Sequence, residues 1–284
     1  MHMKTLTYFW INVFTTEQDK GNPLPVFVLD DPLSKAAMQK IAAMLNQSET
    51  VFIEHVDSTD PKLSIFTPMQ ALPFAGHPII GALKILEKLQ PNPTFTHVKT
   101  ESGNVPVEID RHKHIYWIKA PLAPTMRAST LTIASTAQML GLTEANILSC
   151  PTWVNTGSEQ LLVELDSAEA VDAIAIHSTL FKEHATLYEG RTMIYAWSRT
   201  NNDVYARYFY LKNGAIGEDS GTGSAAANLG GLHCLNGTTS LEYRIRQGCK
   251  MGRENVLYLK VVEGEIWIGG QNTFMGQGEL LWAE

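Results

Sequence analysis

Cysteine is scarce in this chain of 284 residues: the three present, Cys150, Cys234 and Cys249, are odd in number and far apart. No Cys-x-x-Cys occurs, so neither a disulfide framework nor a zinc site is indicated. Positive charge is also short. Lys and Arg total 22 against 29 Asp and Glu, a net charge of −7, which argues against nucleic acid or an anionic membrane as a partner. Any anionic ligand therefore needs local help from the fold. No apolar run approaches the roughly 18 residues of a membrane span. The stretch from Leu6 to Phe14 lacks the basic flank and small-residue cleavage site of a secretory leader, so a cytoplasmic protein is expected. What is present is globular in balance, 44% hydrophobic and 18% charged. At about 150 residues per domain, the length allows two domains or one large one.

The pattern along the chain is mixed α/β. Lys4 to Phe14 and Leu24 to Leu29 read as strands around the turn cluster Lys20-Gly21-Asn22-Pro23. Ser34 caps a segment whose apolar residues (Ala37, Met38, Ile41, Ala42, Met44, Leu45) have helical spacing. Strands are expected at 50–56, 62–66, 96–99, 105–109 and 115–118, with a helix at 79–89. Ala120-Pro121-Leu122-Ala123-Pro124 is the best linker. Beyond it, helices are expected at 134–140 and 168–174, and strands at 160–165, 193–197, 204–210, 243–246, 256–262 and 265–268. The two halves share a style without sequence identity strong enough to prove a duplication.

Two turn-to-helix entrances carry the chemistry. Gly217-Glu218-Asp219-Ser220-Gly221-Thr222-Gly223-Ser224 opens into an uncharged run of small residues, which predicts a buried helix. Leu72-Pro73-Phe74-Ala75-Gly76-His77-Pro78 has a related layout, with Pro78 expected at the first helical position. A helix N-terminus offers unbonded N–H groups and positive dipole charge, so a carboxylate or phosphate is its natural guest. If the two entrances face one another across a cleft, they hold one small anion from both sides, with Asp219 and His77 beside it. The glycine turn fits neither the dinucleotide fingerprint nor a P-loop. His112-Lys113-His114 reads as a solvated hairpin turn rather than a metal pair.

These residues also resemble the PhzF-like (phenazine biosynthesis F-like) isomerase family, of the diaminopimelate-epimerase-like fold. The resemblance rests on Val13-Phe14-Thr15 with Gly21 to Val26, Asn46 to Phe52, Phe66-Thr67-Pro68 with Leu72 to Pro78, Glu218-Asp219 with Thr222 to Ala225, and Gln247-Gly248 with Gly252-Arg253. It implies two similar domains, each a curved sheet wrapped around a central helix, with the active site in the cleft between them. The expected bounds are 1–120, completed by a C-terminal strand at about 273–284, and 121–272. It further implies a cofactor-free enzyme, a small carboxylate-bearing substrate and a homodimer.

Carried over residue by residue, the resemblance makes Glu49 the general base and acid, moving a proton between carbons of the substrate. His77 and Asp219 orient the substrate and help to shuttle the proton. Gly76, Gly223 and Ser224, with the helix N–H groups, grip its carboxylate. The chain departs from the family pattern at Ser64, where Arg is usual, at Ala71, where Glu is usual, and at Ser220-Gly221, where Pro plus a small residue is usual. The first two departures together read as a lost ion pair. Related epimerases place one cysteine at each helix entrance; neither entrance here has one, which disfavours a two-thiol racemase. The rival from another class is a catalytically idle small-acid binding or interaction protein on the same scaffold.

Overall fold

The computed structural model describes residues 3–90, 93–188 and 190–283. The chain divides into two compact units, Met1–Lys119 with Gly269–Glu284, and Ala120–Ile268. The chain passes between the units at Lys119–Ala120 and again at Ile268–Gly269.

In the first unit, strand Met3–Val13 lies between two antiparallel neighbours, Asn22–Val28 and Asn272–Ala283. The C-terminal strand is thus part of this unit's sheet. Asn22–Val28 runs parallel to Thr50–Glu54, and helix α1 (Lys35–Leu45) makes the crossover. Ser34 caps α1 by accepting a hydrogen bond from the Ala37 N–H. Leu6, Phe27, Phe52 and Phe66 meet the Ala37, Met38, Ile41 and Ala42 stripe of this helix in one apolar cluster. A second parallel pair, Lys62–Phe66 with His97–Thr100, is bridged by α2 (Gly76–Leu89). Helix α2 is buried along His77 to Leu83 and again at Ile85 and Leu86, and it touches strands of the same sheet. A helix apolar on nearly every face requires such enclosure. At Gly81 a Cβ would come within 2.4 Å of Leu24 Cδ2 and 2.9 Å of Val13 Cγ2, so only glycine lets the helix approach its sheet this closely.

The second unit repeats this plan with other residues. Gln160–Glu164 is parallel to Arg191–Thr200, which is antiparallel to Asp203–Lys212, itself parallel to Ser240–Gln247. Helices α3 (Ile133–Leu140), α4 (Ala168–Ala173) and α5 (Ser178–His184) cover one face through Leu140, Val171, Phe181, Ile194 and Phe209. Helix α6 (Gly223–Leu235) makes the second crossover and packs against other strands of the unit. Here Gly230 allows the approach: a Cβ would meet Leu259 Cδ1 at 2.8 Å and Ile266 Cγ2 at 2.9 Å.

Helix α5 and the strands Thr125–Ala128, Thr152–Asn155 and Thr186–Tyr188 are absent from the expectations. Each is short, and sheet pairing rather than local periodicity defines the strands. Residues 111–114 form the exposed turn between Gly103–Asp110 and Ile115–Lys119, with Asp110 Oδ1 accepting from the His112 and Lys113 N–H groups. Among the described residues, no helix is long and apolar enough to cross a membrane.

Candidate active site

Four of the six helices among the described residues have a side-chain cap: Ser34 on α1, Thr132 on α3, Ser167 on α4 and His177 on α5. Helices α2 and α6 have none. These are the two buried helices, and they are the ones whose entrances carry the candidate residues. An uncapped, buried helix start leaves its first N–H groups to be met by a ligand or water.

At the first entrance, the N-cap is Ala75, whose methyl group cannot cap, and the first intrahelical bond runs from the Ile79 N–H to the Ala75 carbonyl at 3.3 Å. The helix begins at Gly76, two residues before the expected start at Pro78. Proline is tolerated at this third position because its missing N–H lies ahead of the hydrogen-bond ladder. His77 is buried in the first turn, with its ring 6.5 Å from that of Phe14. Phe14 is itself fully buried at φ 64°, and Gly270 makes room for it: a Cβ there would lie 2.4 Å from the Phe14 ring. A left-handed backbone at a bulky residue is strained and is held by its surroundings.

Glu49 reaches this point from the loop between α1 and Thr50–Glu54. The left-handed C-cap Asn46, φ 51°, turns the chain out of α1. The structure brings Glu49 Oε2 to 3.4 Å from His77 Nδ1, with side-chain exposures of 20% and 8%. A partly accessible carboxylate beside a buried imidazole is able to exchange protons with a ligand.

At the second entrance, Asp219 ends strand Ala215–Asp219, paired opposite Tyr208. The two carboxylates of the motif go separate ways. Glu218 forms a two-pronged pair with Arg207, Oε1 to Nε at 2.9 Å and Oε2 to Nη2 at 2.8 Å, and this pins the strand. Asp219 instead accepts from the Thr222 hydroxyl at 2.6 Å. Thr222 is the N-cap of α6, so its hydroxyl is spent on Asp219 rather than on the helix. Buried Gln247 clamps this turn: its Nε2 donates to the Asp219 carbonyl at 2.8 Å and to Thr222 Oγ1 at 2.9 Å, while its Oε1 accepts from the Thr222 N–H at 3.2 Å. Gly223 and Ser224 form the first turn of α6, and Ser224 Oγ accepts from Gln160 Nε2 at 2.8 Å.

Gln160, Asn228 and Gln247 are not among the expected site residues. One signal was available for Asn228: it is the polar side chain in the middle of a small-residue helix, and a fully buried amide must find partners. For the departures, Ala71 stands opposite Phe66 while Ser64 lies two residues earlier on the same strand, so both share one sheet face.

Two units of mixed sheet, each enclosing a helix with an uncapped polar entrance, define the class as the diaminopimelate-epimerase-like fold. The crystal structure of a PhzF-family phenazine biosynthesis protein from Bacillus anthracis superposes with a TM-score of 0.81 at 18% identity, over 98% of this chain and 100% of that one. That identity speaks for the fold alone. The chain matches the phenazine biosynthesis-like (PhzC-PhzF) family over residues 11–277 and belongs to it. It is 40% identical over 276 residues to an uncharacterized isomerase of Pasteurella multocida, covering 96% of this chain and 93% of the relative. It is 28% identical over 288 residues to the trans-2,3-dihydro-3-hydroxyanthranilate isomerase of Pseudomonas chlororaphis, covering 96% and 99%. The protein is an isomerase of the PhzF family.

Proposed function

We propose that the protein is a cofactor-independent isomerase that moves a proton between carbons of a small carboxylate-bearing metabolite. The observation that carries this reading is Glu49 beside buried His77 at the uncapped start of α2. The Glu49 carboxylate takes the proton as a C–H bond breaks, and the electron pair spreads into the unsaturated system next to it. The same carboxyl then returns the proton to another carbon, so only hydrogen position and double bonds change. His77 orients Glu49 and the substrate. Asp219 is assigned a part in the proton shuttle. Gly76, Gly223 and Ser224 are the substrate-binding residues, each at a helix start where N–H groups, and at Ser224 a hydroxyl, favour a carboxylate. The assembly is a homodimer, to be checked by sedimentation.

The thiol alternative gains no support from the cysteines. Cys150 is exposed, and Cys234 lies near the far end of α6 with its thiol pushed up by burial. Burial and the Glu254 carboxylate push Cys249 up to about 11. A thiol held protonated is a poor base.

The test is turnover in deuterated water, followed by NMR, with cyclic and unsaturated small acids beginning with trans-2,3-dihydro-3-hydroxyanthranilate, the acid named for a relative. The expected result is isomerisation with the new hydrogen placed stereospecifically, partly retained if Glu49 is shielded from water. Tight binding without isomerisation, and without exchange at any carbon, would establish the binding-protein reading instead.

A further inference from the structure

A buried chain of amides in the second unit has a fixed direction. The Thr156 backbone N–H can only donate, and it bonds Asn228 Oδ1 at 2.8 Å; the Ser158 carbonyl can only accept, and it takes a bond from Asn228 Nδ2 at 2.8 Å. These two backbone groups settle which end of the Asn228 amide is oxygen. Asn228 Nδ2 also donates to Gln160 Oε1 at 2.9 Å, so the Gln160 nitrogen points the other way. There it donates to Ser224 Oγ at 2.8 Å and stands beside the Tyr208 phenol. An amide nitrogen accepts nothing, so neither hydroxyl proton is used on Gln160. Each hydroxyl keeps its proton for another acceptor.

We propose that Tyr208 is a further substrate-contacting residue, its phenol and the Ser224 hydroxyl donating together to one substrate carboxylate, with Gln160 and Asn228 as the positioning residues that make both hydroxyls donors. The proposal rests on the reading of Ser224 as the carboxylate grip. Sheet register supports the placement. Leu162, Tyr195, Tyr208 and Asp219 are successive partners across four strands, which sets Tyr208 in one row with Asp219 and two residues along from Gln160. Burial, then the charge of Asp219, push the Tyr208 phenol well above its ordinary value, against the pull of Arg191 and Gln160. The group therefore keeps its proton and donates. Two hydroxyls served by the two N–H bonds of one amide lie about 5 Å apart, a spacing that suits the two oxygens of a carboxylate. Asp219 already receives the Thr222 proton on Oδ2.

The experiment uses the intact protein and two probes, 3-hydroxyanthranilate and 2-aminophenol, which differ by the carboxylate alone. Calorimetric titration of Tyr208→Phe should show the acid bound about 5- to 20-fold more weakly, the size of one neutral to charge-assisted hydrogen bond, with 2-aminophenol unchanged. Gln160→Met should lose the same discrimination. Unchanged affinity of Tyr208→Phe for the acid, equal weakening of both probes, or no binding of the acid to the wild type would each overturn the proposal. If Tyr208→Phe does not fold, a wild-type crystal soaked with the acid decides: a carboxylate within hydrogen-bond distance of both Tyr208 Oη and Ser224 Oγ supports it, and one placed elsewhere refutes it. Glu49→Gln separates this outcome from the proposed function, since it should keep both affinities and lose turnover. Retained turnover in Glu49→Gln would sink the base assignment while leaving the Tyr208 measurement intact.

Discussion

The entrances of α2 and α6 meet the same requirement by different means. Each is the start of a buried helix with no side-chain cap. At α2 this is done by absence: Ala75 has no group to cap with, and Glu49 arrives from a separate loop to stand 3.4 Å from His77. At α6 it is done by diversion: Thr222 carries a hydroxyl suited to capping, but Asp219 and Gln247 engage it instead. The first entrance holds the Glu49–His77 pair, and the second holds a network in which Gln247, Thr222 and Asp219 are bonded to one another. A proton carrier needs access and some freedom. A carboxylate grip needs donors already pointed at their target. On the proposed reading, the α2 entrance carries the proton base Glu49 and the α6 entrance carries the Ser224 grip, while Gly76 and Asp219 serve the other task at each.

The largest expected effect tests the chemical half. Glu49→Gln keeps size and hydrogen bonding but removes the basic oxygen pair, so turnover should fall by about two orders of magnitude or more with binding retained. Steady-state kinetics beside calorimetry checks this, and near-normal turnover would break the comparison. Next in size is a packing effect on each central helix. Gly81→Ala places a methyl 2.4 Å from Leu24 Cδ2, and the overpacking, less about 1 kcal/mol of helix propensity, should cost about 1–2 kcal/mol in urea denaturation. Gly230→Ala meets its neighbours at 2.8 and 2.9 Å and should cost about 1 kcal/mol or less. A reversed order would show that α6, not α2, is the more tightly enclosed helix.

Ser224→Ala tests the recognition half. Carboxylate binding should weaken by about 0.5–1.5 kcal/mol for a neutral-type hydrogen bond, and more if it is charge-assisted. An unchanged dissociation constant would move the anion grip away from α6. The smallest effect is expected of the thiols: a folded variant with Cys150, Cys234 and Cys249 replaced together by Ala or Ser should retain its turnover. Specific loss of activity in that well-folded protein would revive thiol chemistry and undo the division of labour drawn above.

Local chemistry was enough for part of this protein. Apolar spacing after Ser34 predicts α1 and its cap, and the small-residue run after Thr222 predicts a buried helix. Those signals are legible because they depend on neighbours a few residues apart. The resemblance singled out Glu49 and His77, yet their contact spans the loop after α1, three strands and the start of α2, and only folding brings it about. The fates of Glu218 and Asp219 also lay beyond the sequence, since adjacent strand residues face opposite ways and Arg207 decides which carboxylate is neutralised. The same holds for Gln160, Gln247 and Tyr208. Each is an ordinary polar or aromatic residue in a strand, and its role comes from the register and crossovers that set it beside α6. Sequence determined the helices, the turns and the residue types available for proton transfer. Tertiary structure decided which of them meet, because hydrogen-bond direction and burial are properties of pairs that the chain holds far apart in sequence.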